Sequence, residues 1–252
     1  SLPACLSFLW LGIWWTGYAQ RPFRALPTGS PNYTAINKKK IHSGFQELVK
    51  VWKQLKGMNL LKRYLFAFFF YSMGVQTIML VSAGFGEKIL HLGTPNLIAI
   101  ILIIQLVAIF GAMIMSYFAT RIGNIKVLIA VVAIWISVCI GAYYITTATQ
   151  FYAMAVVVGL VMGGIQSLSR STYSKLIPEN TPDTASFFSF YDVSEKVAIV
   201  IGLFSFGYIE EITGSMRNSA LSLSSFFFIG LLLLISLLYQ KPQASLNNIV
   251  IE

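Results

Sequence analysis

The sequence predicts an all-α integral membrane protein, a helical bundle of about seven transmembrane helices. Hydrophobic residues make up 56% of the 252 residues and charged residues only 11%, which is too apolar for a soluble domain of this length. A helix needs about 20 mostly apolar residues to cross the hydrocarbon. The chain offers that length seven times: roughly 2 to 19, 64 to 86, 97 to 119, 127 to 146, 151 to 169, 186 to 209 and 219 to 239.

The basic residues are placed as in a membrane protein rather than in a nucleic-acid-binding protein, despite a formal net charge of +9. Fifteen Lys and Arg residues fall in the loop at 20 to 63, in alternate connections after it or at the C-terminal end, and two flank the opposite face. The positive-inside rule then puts this loop and the C-terminus in the cytoplasm. We expect a multi-pass protein of the cell inner membrane, with the lipid bilayer as a partner and no nucleic acid.

The first span, residues 1 to 20, precedes a central loop. It lacks the basic start of a signal peptide, and Arg follows the apolar run instead of preceding it. The chain opens on Ser at the edge of this span, without an initiator Met. We therefore expect it to be the C-terminal part of a longer protein.

The loop at 21 to 63 is predicted to begin as an irregular linker, because prolines and a glycine interrupt it, and to end as an amphipathic helix. Apolar residues recur there at helical spacing, with lysines at other positions: Phe45, Leu48, Val49, Trp52 and Leu55. Two arrangements fit this pattern. The helix could lie on the anionic inner leaflet, or it could pack under the bundle with its charged face in solvent.

Residues 64 to 240 are expected to form the other six spans, and 241 to 252 a cytoplasmic tail. Within the span at 151 to 169, Gly159 and Gly163 are four residues apart, a spacing that lets two membrane helices approach closely. Arg170 continues the same face at the cytoplasmic boundary. Snorkelling to the interface or a conformational lock is the expected role of this arginine.

Three ionisable residues interrupt the span at 186 to 209 in the stretch "SFYDVSEKVAIVIG": Asp192, Glu195 and Lys196. An isolated charge at the bilayer centre costs about 2.5 kcal/mol or more, so such residues usually face a cavity or a relay. Asp192 and Lys196 have the favourable i, i+4 order for an ion pair. Two interpretations stay open: a structural ion pair near the helix N-terminus, and a cavity-facing gate or coupling site.

Uncharged polar residues on other spans are expected to share a polar interior with this trio. Ser72 and Gln76 are four residues apart on one span, and Gln166 lies near the inner end of the glycine seam. In hydrocarbon such groups need partners inside the bundle or in a water-filled cavity. We predict a substrate or proton pathway that combines them with the ionisable trio.

Several stretches resemble the vacuole effluxer-like branch of the major facilitator superfamily: "GGIQSLSRSTYSKLIPE" (163 to 179), "FFSFYDVSEKVAIVIG" (187 to 202) and "FFYSMGVQT" (69 to 77). "SYFATRIGNIK" (116 to 126) is similar to the cytoplasmic G-x-L-x-D-R-x-G motif of the superfamily, with Arg121 and Gly123 matching. The chain departs from that motif at Ser116 and Thr120, and the departure puts an acid-based lock at this position in doubt.

The resemblance implies the C-terminal six-helix half of a twelve-span fold, with the preceding span. Secondary active transport of a small solute by alternating access would then require the N-terminal half of the same transporter as a partner. The relatives are linked to amino-acid efflux from vacuoles. The ionisable trio would couple a proton or bind an ionic substrate, and no cofactor is implied.

Other function classes remain as alternatives. A non-transporting membrane scaffold or receptor would have no need of a wet polar cavity, and a lysine that holds retinal would give an absorption band in visible light. An enzyme is not expected, because His42 and His91 stand alone and no metal-binding spacing or phosphate-binding glycine loop occurs. Cys5 and Cys139 lie far apart inside apolar spans and imply no disulfide.

Overall fold

A computed structural model describes residues 2–25, 40–178, 181 and 184–239. These residues form eight α-helices and no strand: α1 (Leu2–Ala25), α2 (Lys40–Leu55), α3 (Asn59–Leu90), α4 (Thr94–Ile122), α5 (Asn124–Tyr144), α6 (Ala148–Leu176), α7 (Thr184–Thr213) and α8 (Met216–Leu238). The predicted all-α fold is confirmed. Most of the predicted irregular linker and the tail at 241 to 252 lie outside the described residues.

Five helices are long and apolar enough to cross a membrane: α3, α4, α5, α6 and α8. They account for five of the seven predicted spans and make the chain a multi-pass integral membrane protein. The other two predicted spans coincide with α1 and α7. In α1 the apolar run is interrupted by Trp, Tyr, Gly and Pro residues, and α7 carries Asp192, Glu195 and Lys196 within its apolar run. The crossing of α1 stays a prediction.

The contacts of α7 show that it runs beside α3 in the same direction. The rings of Phe68 and Tyr191 stack with centroids 4.1 Å apart near the beginnings of the two helices. Near their ends, Lys88 Nζ lies 3.3 Å from a carboxylate oxygen of Glu210. About 20 residues separate these contacts on each helix, which corresponds to about 30 Å, the thickness of the hydrocarbon. Since α3 is a membrane span, α7 crosses with it.

The chain divides into two compact units, Ser1–Gly44 and Phe45–Glu252. The first unit contains α1 and the beginning of α2, and the second contains the bundle. In the bundle the core lies among α3, α5 and α8, where the fully buried rings of Trp135 and Phe227 stack 5.6 Å apart. Gly74 of α3 leaves the space that the Phe227 ring fills.

Local sequence explains the short connections between helices. Thr147 caps α6 in a capping box, in which its hydroxyl accepts from the Gln150 backbone and the Gln150 side chain accepts from the Thr147 backbone. Gly123 joins α4 directly to α5 with a φ of +93°, a backbone conformation that suits glycine. The direct junction between these two helices depends on that residue.

Helices α4 and α6 pack backbone against backbone. A Cβ atom on Gly163 would lie 1.9 Å from the carbonyl oxygen of Ala108, and one on Gly159 would lie 2.8 Å from that of Ile104. On the opposing helix, a Cβ on Gly111 would meet the carbonyl oxygen of Leu160 at 2.1 Å. Only glycine permits this approach, as the small-residue spacing predicts.

The second half of α2 packs against the bundle. Val51 and Leu55 are fully or almost fully buried, and the Trp52 ring stacks on Phe190 of α7 at 6.0 Å. The Ser186 hydroxyl donates to the Glu47 carboxylate at 3.2 Å. Of the two arrangements left open by the sequence, these contacts favour a helix packed under the bundle.

Candidate functional site

A polar cavity of about 230 Å³ lies between α3, α6 and α7. One water needs only about 10–15 Å³ of such volume, so the cavity has room for a small solute or several waters. Its walls combine aromatic rings with polar and charged groups: Phe68, Tyr71, Ser72, Val75, Gln76, Ile165, Gln166, Ser169, Arg170, Tyr191 and Glu195. Four of the six residues predicted for the pathway therefore meet here: Ser72, Gln76, Gln166 and Glu195.

Glu195 is the one member of the predicted ionisable trio that lines the cavity. It is half-buried, and one carboxylate oxygen accepts a hydrogen bond of 2.5 Å from Gln76 Nε2 of α3. A hydrogen bond to a charged group is roughly twice as strong as one between neutral groups. The amide thus stabilises a carboxylate that would otherwise be costly at this depth.

Asp192 forms a different ion pair from the one that the sequence predicts. Its carboxylate lies 2.5 Å from Nη2 of Arg170 on α6, and the i, i+4 pair with Lys196 is not formed. Arg170 lines the cavity and also lies over the Tyr191 ring, 5.9 Å from its centroid. Asp192 does not line the cavity itself, but it forms an ion pair with Arg170, which does.

Lys196 lies outside the cavity, which corrects the prediction that it faces the polar interior. Its side chain is exposed on the face of α7 that also carries Asp192, Val193, Val197 and Val200. At 100° per residue it is about 140° around the helix from the buried Tyr191. The spacing that brings Glu195 close to the inner face of α7 therefore turns the next residue outward.

A buried hydroxyl network, which is not among the features predicted from the sequence, adjoins the cavity through Tyr71 and Ser169. Tyr64 donates to the backbone oxygen of Ser169 at 2.8 Å, and the hydroxyls of Tyr71 and Ser169 are 2.8 Å apart. The two tyrosine hydroxyls are 3.4 Å from each other. Two tyrosines seven residues apart on an apolar span share one helix face. This spacing is the feature of the sequence from which the network could have been predicted.

The remaining predicted residues lie away from the cavity. Gly159 and Gly163 belong to the α4–α6 contact, and Arg121 and Gly123 end α4. The Arg121 guanidinium lies 5.5 Å from the centroid of the Tyr117 ring, and no carboxylate in the described part of the chain pairs with it. This agrees with the departure from the superfamily motif at Thr120.

The groups in the cavity can bind a small polar solute of either charge. Arg170 supplies a guanidinium and Glu195 a carboxylate, while amides and hydroxyls complete the walls. Among the described residues no group of three His, Cys, Asp or Glu side chains could hold a metal ion. Aromatic faces at Phe68 and Tyr191 offer apolar surface beside the charges.

Comparison with known proteins identifies relatives along nearly the whole chain. The family model described as "Vacuole effluxer Atg22 like" matches residues 2–245. The "Uncharacterized MFS-type transporter YxiO" of Bacillus subtilis (strain 168) is 32% identical over 192 residues, which cover 76% of this chain and 44% of that protein. "Autophagy-related protein 22" of Cryptococcus neoformans (strain JEC21) is 29% identical over 232 residues, 84% of this chain and 40% of that protein.

A relative of the same name in Saccharomyces cerevisiae (strain S288c) is 29% identical over 203 residues, 75% of this chain and 37% of that protein. The chain thus spans less than half of the length of these relatives. The family match agrees with the motifs that resemble the vacuole effluxer-like branch of the major facilitator superfamily. The chain belongs to the vacuole effluxer Atg22-like family.

Proposed function

We propose that the chain is one half of a secondary active transporter that moves a small polar solute across a membrane by alternating access. The observation that carries this proposal is the cavity between α3, α6 and α7, which presents Arg170 and Glu195 to a common space. Ionisable residues within membrane spans usually mark substrate or proton pathways. The family of the chain and the name of the Bacillus relative, an MFS-type transporter, support the same function.

Amino acids are the proposed substrate class. A zwitterion carries a carboxylate that matches the Arg170 guanidinium and an ammonium group that matches the Glu195 carboxylate. In the structure these two groups are held by Asp192 and Gln76. A substrate that takes the place of these partners would loosen the contacts of α7 with α6 and α3, and so couple binding to movement.

The second half of the transporter is the proposed partner. The chain spans less than half of its relatives, and transport in this superfamily takes place between two pseudo-symmetric halves. We propose that an N-terminal half closes the cavity from the other side. The distribution of the basic residues supports an orientation in the inner membrane in which the C-terminus lies in the cytoplasm.

The test is uptake of labelled amino acids by liposomes that contain the full-length parent protein, with and without a pH gradient. We expect saturable uptake above that of empty liposomes, and no uptake with the present chain alone. Failure of the full-length protein to transport any amino acid would contradict the substrate class. Failure with every small solute tried would favour a non-transporting scaffold or receptor.

A further inference from the structure

A second groove, separate from the polar cavity, lies where the second half of α2 meets the beginnings of α3 and α7. Its volume is about 220 Å³. The lining is apolar except for one cation and one hydroxyl: Trp52, Leu55, Lys62, Leu65, Phe66, Phe69, Phe190 and Ser194. None of these residues lines the transport cavity described above.

Aromatic rings form the walls of this groove. Trp52 bridges two helices, with ring centroids 6.0 Å from Phe190 of α7 and 6.4 Å from Phe66 of α3. Leu55 is almost fully buried at the floor, whereas Trp52 and Phe66 remain 44% and 42% exposed. The groove is therefore open at Trp52 and Phe66 and closed at Leu55.

The groove lies in a strongly basic part of the chain. Between residues 45 and 63 there are five basic residues and one acidic residue. That acid, Glu47, accepts a hydrogen bond from Ser186. Lys62 is half-buried at the groove, and no carboxylate within the described ranges lies within ion-pair distance of its ammonium group.

The position of the groove along the membrane normal fits an interface. Lys62 is in the first turn of α3, and the apolar run of this membrane span follows it. Because α7 runs parallel to α3, Phe190 near the beginning of α7 belongs to the same membrane face. A cation thus lies at the depth where headgroups begin, and aromatic side chains lie next to it towards the hydrocarbon.

We propose that this groove is a binding site for one anionic phospholipid. One acyl chain lies between Phe66, Phe69 and Phe190, and the phosphate is bound by the Lys62 ammonium group. Charge complementarity selects the anionic headgroup, and burial of the acyl chain provides the hydrophobic part of the affinity. The bound lipid stabilises the contact of α2 with α3 and α7. These last two helices also line the polar cavity.

The test is native mass spectrometry of the detergent-purified chain, titrated with phosphatidylglycerol or with phosphatidylcholine of the same acyl chains. Lys62→Gln is compared with Arg63→Gln, which removes the same charge at an exposed neighbour outside the groove. We expect phosphatidylglycerol to bind about fivefold more weakly to the Lys62 variant and less than twofold more weakly to the Arg63 variant. Phosphatidylcholine carries the same phosphate but also a choline cation, so its binding should weaken less than about twofold in either variant.

Equal losses in the two variants would mean general surface electrostatics and would overturn the proposal. A second measurement needs no change at Lys62: bromine-labelled phosphatidylglycerol should quench the Trp52 contribution to fluorescence, taken as the difference between wild type and Trp52→Phe. Equal quenching by bromine-labelled phosphatidylcholine would also overturn the proposal. Both readouts measure binding, so they stand or fall independently of transport.

Discussion

Glu195 of α7 accepts a 2.5 Å hydrogen bond from Gln76 of α3, and this bond crosses the interface between two parallel membrane spans. It holds the charged group in place beside an aromatic wall. The two helices have their other polar contact, Lys88 with Glu210, near their far ends. The carboxylate therefore joins the lining of the cavity to the packing of α7 against α3.

The first prediction concerns this carboxylate. Glu195→Gln in the full-length protein keeps the size of the side chain and removes its charge. A hydrogen bond to a charged group contributes about 1.5–3 kcal/mol, so we expect kcat/KM for amino-acid uptake to fall at least tenfold. The measurement is initial uptake rate against substrate concentration in liposomes.

Glu211→Gln is the matched control, since Glu211 is exposed near the end of α7 and does not line the cavity. It should retain wild-type uptake. Similar rates in both variants would remove Glu195 from the proposed pathway.

The second prediction concerns the Arg170–Asp192 pair. Because this pair is exposed, with side chains 59% and 49% accessible, its removal should change the midpoint of thermal unfolding little. Arg170→Gln should nevertheless raise KM for amino acids about tenfold, because it removes the guanidinium that we propose as the partner of the substrate carboxylate. Arg170→Lys should recover only part of this loss, since an ammonium group lacks the bidentate geometry.

Asp192→Asn separates the two roles of that pair. It releases the arginine but leaves it in the cavity, so KM should change less than in Arg170→Gln. An equal or larger rise in KM would show that Asp192, and not Arg170, is the residue on which the substrate depends.

The third prediction concerns Lys196. Because Lys196 is exposed and does not line the cavity, we expect Lys196→Gln to keep uptake within about twofold of wild type, a change of less than about 0.5 kcal/mol. Measurement beside Glu195→Gln in the same liposomes tests the separation of the two neighbours. Loss of uptake in the lysine variant would mean that the face of α7 that carries Lys196 contacts the other half of the transporter.

The fourth prediction concerns the close contact of α4 with α6. Gly163→Ala would put a methyl group against the carbonyl oxygen of Ala108, and a backbone atom cannot turn aside as a side chain can. We expect a loss of about 1–3 kcal/mol of stability, seen as a lower unfolding temperature in detergent. Gly207→Ala is the control, because nothing lies within 4 Å of the position that its methyl group would take on α7. This control should be neutral or gain up to about 1 kcal/mol.

The fifth prediction concerns the hydroxyl network. Tyr71→Phe removes one buried hydroxyl and leaves Ser169 without its 2.8 Å partner. The expected loss is about 0.5–1.5 kcal/mol, measured as the shift of the unfolding midpoint. Tyr152→Phe on α6 serves as the comparison, since its hydroxyl makes no hydrogen bond with other described residues. A larger shift in the comparison variant would contradict the assignment.

Much of the fold could be predicted from the sequence because membrane spans need length and apolar composition, and both are local properties. The glycine pair at Gly159 and Gly163 was readable for the same reason, since the i, i+4 spacing lies within one helix. The surface against which α2 packs could not be predicted from the sequence. The apolar stripe of α2 fits a lipid surface as well as a protein surface, and only contacts such as Trp52 with Phe190 decide between them.

The candidate site was predicted in part. Ser72, Gln76, Gln166 and Glu195 are polar residues in apolar spans, and the cost of burying them indicated a shared interior. The partner of Asp192 could not be predicted, because a cation was available on the same helix and another on a neighbouring helix. Arg170, 22 residues away in sequence, forms the pair, and Lys196, four residues away, does not.

The glycine contact between α4 and α6 has a mechanical consequence. Where two main chains pack without intervening side chains, sliding of one helix along the other would force backbone atoms to collide, so we expect α4 and α6 to move as one rigid body. Arg170 and the other cavity residues of α6 therefore lie on a helix whose position is fixed by α4. The contacts that join α3 and α7 to α6 beside the cavity are instead made by side chains of Tyr64, Tyr71 and Asp192, and such contacts can exchange partners.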